Sequence, residues 1–187
     1  MQEEIVIFLI GGLSFAVALN FLLTFRLAAF VRSVPEPDNK PFKLAAGTLA
    51  PEYAGTMLKD KSWVTSQQLA GNPKVLVFLS SGCQTCKEKL DELQQMRGGI
   101  EKAEISLWLI GRESEKQVKK FLQHTGLMDL VVFMSGEIRK RLNPFDASPF
   151  YIFIDGQDTV QASGYLGDEN WISFQQQISE LQSEHNQ

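Results

Sequence analysis

Cysteine, histidine and excess positive charge are all scarce in this chain, and each scarcity removes a class of function. Only two cysteines, Cys83 and Cys86, and two histidines, His124 and His185, occur in 187 residues. A disulfide-built scaffold needs more bridges spread along the chain, and one bridge closing so short a loop adds little chain-entropy stabilisation. A closed zinc site needs four ligands. His124 stands shortly before Gly126, near the end of a predicted helix, where a histidine serves the local dipole, and His185 lies in a polar tail. With 18 Lys and Arg against 22 Asp and Glu, and a net charge of −4, there is no broad basic surface for nucleic-acid phosphates. Internal repeats and low-complexity tracts are absent too. What is there is a globular composition, 44% hydrophobic and 21% charged, in about one domain's length with a modest surplus.

The surplus lies at the start. Ile5 to Phe25 is an uncharged, mostly aliphatic and aromatic run, broken only by small residues and Asn20. At about 1.5 Å rise per residue it matches the ~30 Å hydrocarbon core of a bilayer. Glu3 and Glu4 precede it where a cleaved signal would carry basic residues, and it is longer than a signal's apolar core. The run lacks the polar face of a buried core helix. Residues 1–32 are therefore predicted to be a retained single-pass anchor with residues 5–25 in the bilayer. Arg26, Arg32, Lys40 and Lys43 follow the run and no Lys or Arg precedes it, so the charge rule puts the rest of the chain in the cytoplasm. Pro35, Pro37 and Pro41 make residues 33–47 an extended tether. The globular domain occupies 48–187.

Within the domain, strand-like and helix-like patterns alternate. Lys74–Ser80 and Ile105–Ile110 are short, continuous apolar runs, as in strands buried on both faces. Between them, Gln84–Met96 carries Leu90, Leu93 and Met96 at helical spacing. Glu113–His124 repeats that pattern, Leu130–Met134 is a third strand, and Glu137–Leu142 a short polar helix. Phe150–Ile154 and Thr159–Ser163 flank Asp155-Gly156, a hairpin signal, and Trp171–Leu181 closes the domain as a helix. The order βαβαβ(α)ββα is an α/β sandwich with a mixed central sheet.

Cys83-Gln84-Thr85-Cys86 falls where the first strand gives way to a helix. A cysteine there meets unpaired backbone N–H groups and the positive end of the helix dipole, which stabilise a thiolate. Cys83 is thus the predicted exposed nucleophile. Cys86, one turn deeper on the same side, is placed to attack a mixed disulfide formed by Cys83. Two other readings of C-x-x-C remain at this level: half of a metal site, or two inert buried cysteines. Further on, Ser148-Pro149 opens an apolar strand, where a proline costs a ladder N–H and is trans by default.

These features together resemble thioredoxin-fold proteins of the TlpA type, and more narrowly the MauD-like anchored members linked with methylamine-dehydrogenase maturation. The resemblance spans Leu49 to Leu181. It rests on Leu49-Ala50-Pro51, the strand–Cys83-Gln-Thr-Cys86–helix unit, Ser148-Pro149, and Phe153-Ile154-Asp155-Gly156 leading to Ala162-Ser163-Gly164. It implies a thioredoxin-like three-layer α/β sandwich with a mixed sheet, preceded by one transmembrane helix. Pro149 would be a cis-proline beside the disulfide, and the Ser148 backbone would pair with an extended client segment. Cys83 would attack and Cys86 resolve, with no cofactor and no metal. The implied partners are disulfide-containing exported proteins and a membrane-bound electron donor, and the implied location is extracytoplasmic, against the charge rule.

The chain also departs from the family pattern. Gly82 replaces a tryptophan common before the first cysteine, Lys89 stands where some members carry a glutamate, and no acid lies in the strand before the motif. Glu88 or water is left as the proton acceptor for Cys86. A non-enzymatic metal- or apo-protein-binding chaperone is the alternative function, and it lacks a histidine near the cysteines. A peroxidase is a third: peroxiredoxins carry a threonine where Ser80 stands.

Overall fold

In the computed structural model the described residues are 12, 17, 19–26 and 44–184, and contacts divide the chain into two compact units, Met1–Lys40 and Pro41–Gln187. Most of the run from 5 to 25 lies outside the described residues, as does nearly all of the tether. Among the described residues, no helix is long and apolar enough to cross a membrane. Residues 19–26 are helical, with Leu19, Phe21, Leu22, Leu23 and Phe25 all exposed.

The second unit is built on a seven-stranded sheet: β1 (Ala54–Met57), β2 (Trp63–Thr65), β3 (Lys74–Leu79), β4 (Ser106–Gly111), β5 (Val131–Phe133), β6 (Phe150–Ile154) and β7 (Val160–Tyr165). Its order is β2-β1-β5-β4-β3-β6-β7. β3 pairs in parallel with β4, and β4 with β5, while β6, β7, β1 and β2 join antiparallel, so the sheet is mixed. The helices are α1 (Gln84–Glu88), α2 (Leu90–Lys102), α3 (Glu115–Leu122), α4 (Gly136–Leu142) and α5 (Glu169–Glu184).

Every residue of β3 is buried, because helices cover the sheet on both sides and alternate side chains feed two cores. Val75, Val77 and Leu79 point to the face where α2, α3 and α5 contribute Leu93, Val118 and Trp171. Leu76 and Phe78 point to the other, closed by Tyr53, Trp108, Phe150 and Leu142 of α4. Trp171, fully buried, packs against Tyr151, Phe153 and Phe174.

Three features depart from the sequence expectation. The hairpin β1–β2 was not foreseen, since Ala54-Gly55-Thr56-Met57 has no clean alternation. Gly55 is there because a Cβ would sit 2.6 Å from the Phe133 carbonyl oxygen of β5. Residues 44–47, assigned to the tether, are tied to the sheet: the Gly47 N–H donates to the Val160 carbonyl at 2.8 Å, and the Ser163 hydroxyl donates to the Leu44 carbonyl at 3.1 Å. The helix after the motif breaks at Lys89, which ends α1 and precedes α2 without any proline.

Candidate active site

The backbone turns out of β3 through Ser80-Ser81-Gly82 and enters α1 at Cys83, which is the N-cap residue itself. Its sulfur takes the place of the usual Ser or Asp oxygen, accepting from the Cys86 N–H at 3.2 Å. The turn is closed by the Cys83 N–H donating to the Ser80 carbonyl at 3.1 Å. Both cysteines are free; Cys83 is partly exposed and Cys86 is fully buried. One thiol faces the surface and the other lies a turn behind it.

Across from them runs the segment between α4 and β6, where the Ser148–Pro149 peptide is cis. The Cys83 thiol donates to the Ser148 carbonyl at 3.6 Å. The four residues singled out in the sequence, Cys83, Cys86, Ser148 and Pro149, therefore meet at one end of the sheet.

Burial pushes the Cys86 thiol up to about 12, helped by its hydrogen bond to Cys83 and by the negative charge that Cys83 carries when ionised. The Ser80 backbone N–H and the Ser148 side chain pull the other way. Ser148 thus bears on the cysteines through its side chain as well as its backbone. Glu88, two residues after Cys86, is exposed and accepts from Gln84 at 3.2 Å.

The residues that hold the site were not foreseen, because they come from the loop after β4. One carboxylate oxygen of Glu113 accepts from the Ser80 hydroxyl at 2.6 Å and from the Ser81 N–H at 3.0 Å, which fixes the loop before Cys83. Its neighbour Arg112 pairs with Asp146 at 3.2 Å, and Arg139 reaches the same carboxylate at 3.3 Å. Buried Asn143 then clamps the proline segment: its amide donates to the Ala147 carbonyl at 2.8 Å, and the Ala147 N–H donates back at 3.0 Å. Arg112 and Glu113 brace the two sides of the site from one loop. No sequence pattern marks them, since both lie in a polar turn far from the cysteines.

His124 is exposed and lies beyond the end of α3. Among the described residues, no three His, Cys, Asp or Glu side chains are grouped so as to hold a metal ion.

Residues 46–173 match the AhpC/TSA family. No curated protein matches the chain. The fold is similar to that of the thioredoxin domain of a thiol-disulfide oxidoreductase from Bacteroides vulgatus, with a TM-score of 0.63 and 18% identity over 73% of this chain and 99% of that one. It is also similar to a thiol:disulfide interchange protein of the thioredoxin family from Chlorobium tepidum, with a TM-score of 0.60 and 19% identity over 74% and 98% of the two chains. A secreted disulfide oxidoreductase from Mycobacterium tuberculosis gives 0.56 and 18% over 68% and 95%. At these identities the likeness establishes a thioredoxin-like fold.

Proposed function

The chain belongs to the AhpC/TSA family, and from that premise and the cysteine geometry we propose that it is a thiol–disulfide oxidoreductase acting on exported proteins. The observation that carries this reading is the partly exposed Cys83 sulfur, held between the Cys86 N–H at 3.2 Å and the Ser148 carbonyl at 3.6 Å, with a buried second thiol one turn behind.

The Cys83 thiolate attacks one sulfur of a client disulfide. A Cys83–client S–S bond forms, the client S–S bond breaks, and the first client sulfur leaves as a thiolate that takes up a proton. Cys86 then loses its proton and attacks the Cys83 sulfur, releasing the second client thiolate and leaving a Cys83–Cys86 disulfide. Two electrons pass to the client. The order is built in: once Cys83 is in the mixed disulfide, its charge and its hydrogen bond no longer hold the Cys86 proton, and two of the causes that raise that thiol vanish. The client's extended segment pairs with the backbone of Ser148. A membrane-bound dithiol partner restores the reduced pair, so the net direction is reduction or isomerisation, in the manner of MauD-like maturation proteins.

Residues 5–25 anchor the protein in the bilayer with the domain on the extracytoplasmic side. Support for the anchor comes from the apolar sequence and from the exposed Phe21, Leu22, Leu23 and Phe25 in the described helical part, while the side rests on the resemblance to anchored TlpA-type proteins, against the charge rule.

The test uses the full chain in detergent. Cys83→Ser is expected to reduce turnover of a protein disulfide to the uncatalysed level, and Cys86→Ser to accumulate a client mixed disulfide visible on a non-reducing gel. Unchanged turnover in the Cys83 variant sinks the reading. Faster oxidation of Cys83 by hydrogen peroxide than by a protein disulfide would favour the peroxidase instead.

A further inference from the structure

An open groove of about 520 Å³ lies beside the cysteine loop, between α1–α2 and α3, lined by Ser81, Lys87, Leu90, Gln117, Lys120 and Phe121. Helix spacing puts these residues together. Lys87 and Leu90 are three apart along α1–α2, while Gln117, Lys120 and Phe121 stand at i, i+3 and i+4 of α3. The floor is apolar: Leu90 is buried and Phe121 packs partly buried on the same core. The rim is cationic, with Lys87 and Lys120 both exposed.

Those two lysines differ from the charges around them. Lys89 pairs with Glu92 at 2.5 Å, and Lys119 with Glu115 at 2.7 Å. Glu88 is engaged by Gln84, and Glu113 by Ser80 and Ser81. Among the described residues the Lys87 and Lys120 side chains make neither an ion pair nor a hydrogen bond, in a chain whose net charge is −4. A cationic rim without internal partners over an apolar floor complements a segment carrying a carboxylate next to a large apolar side chain. Ser81 joins the groove to the loop that presents Cys83, so an occupant runs alongside the reactive sulfur.

We propose that this groove is a docking subsite for an acidic, apolar-bearing segment of the client, separate from the Ser148 edge and selective for clients with such a segment near the disulfide. The proposal rests on the thiol–disulfide reading, and its test keeps the two apart. Fluorescence anisotropy with cysteine-free peptides reads the groove alone. The full chain is expected to bind an acidic peptide containing Phe roughly tenfold more tightly than its Lys-for-Glu counterpart, with the difference shrinking as salt is raised. The double variant Lys87→Glu/Lys120→Glu, both exposed positions, should erase that preference, and Ala for Phe in the peptide should weaken binding. In exchange assays with disulfide-bearing forms of the same peptides, the double variant should lose roughly tenfold in kcat/KM for the acidic peptide, mainly through KM. Reduction of neutral hydroxyethyl disulfide should stay unchanged. Equal binding of all peptides, or an equal loss on hydroxyethyl disulfide, overturns the docking subsite and leaves the redox reading standing. Failure of the unmodified protein to reduce any disulfide overturns the redox reading, and with it the client as occupant.

Discussion

Strand β3 has a buried ionisable group near each end, and the two are handled in opposite ways. At its start the Lys74 side chain is wholly buried and its ammonium is paired with the Asp158 carboxylate of the β6–β7 turn. Beyond its other end, Cys86 is equally buried in an apolar core, and its polar company is another sulfur, a backbone N–H and a hydroxyl. A buried charge with a fixed counter-ion is a structural element, since breaking the pair strands the charge. A buried acid with no counter-ion stays protonated until something in its surroundings changes, and that suits a step that must wait its turn.

The largest expected break in this comparison is chemical. With its thiol pushed up to about 12, Cys86 in the reduced protein should react with iodoacetamide at pH 8 about 10³-fold more slowly than an ordinary thiol. Its rate should climb about tenfold per pH unit, followed by mass spectrometry of the labelled peptide. The same shift has a sign in stability. Below pH 9.0 the thiol is protonated both folded and unfolded; between there and about 12 only the unfolded chain loses the proton, so stability falls across that window. Cys86→Ala should remove that part of the alkaline slope in urea titrations.

Next in size is the other end of the strand. Asp158→Asn keeps the left-handed backbone at this position, φ 59°, but strands the Lys74 charge. It should cost about 2–3 kcal/mol in chemical denaturation, at the low end for a buried pair because Asp158 is partly exposed. Adding Lys74→Met should recover most of that loss, whereas no comparable rescue exists for Cys86. Glu113→Ala, which frees the Ser80 hydroxyl and the Ser81 N–H, should cost about 1–2 kcal/mol and slow exchange several-fold without changing its pH profile. The smallest effect is expected at Gly82, where a Cβ would meet only the Ser80 hydroxyl oxygen, at 3.9 Å. Gly82→Trp should leave stability within about 0.5 kcal/mol and alter only the affinity for clients.

Much of this molecule can be read along the chain. The buried strands β3 and β4 announce themselves as continuous apolar runs, and the cysteines by their place at a strand–helix junction. The hairpin β6–β7 was legible from Asp155-Gly156, although the left-handed residue of its turn is Asp158 rather than the glycine. Gly156 is needed for another reason: a Cβ there would lie 2.5 Å from the Gly71 carbonyl oxygen. The β1–β2 hairpin was not legible, because strands of three or four residues without alternation look like loop. Lys74 was equally hidden, since a lysine opening an apolar run reads as a solvated end until the carboxylate that meets it is known.

Local order along the chain determined most of the elements, their sequence in the fold and the place of the two sulfurs at a strand–helix junction, because periodicity and helix-end electrostatics act over a few neighbouring residues. Only the tertiary structure decided what surrounds those sulfurs. Arg112 and Glu113 leave β4 to grip the loops on either side, Asn143 and Ser148 arrive from beyond β5, and two lysines from different helices come to share a groove. Burial and hydrogen bonding are properties of what the folded chain brings next to an atom, and such neighbours are separated along the sequence by distances that no local pattern records.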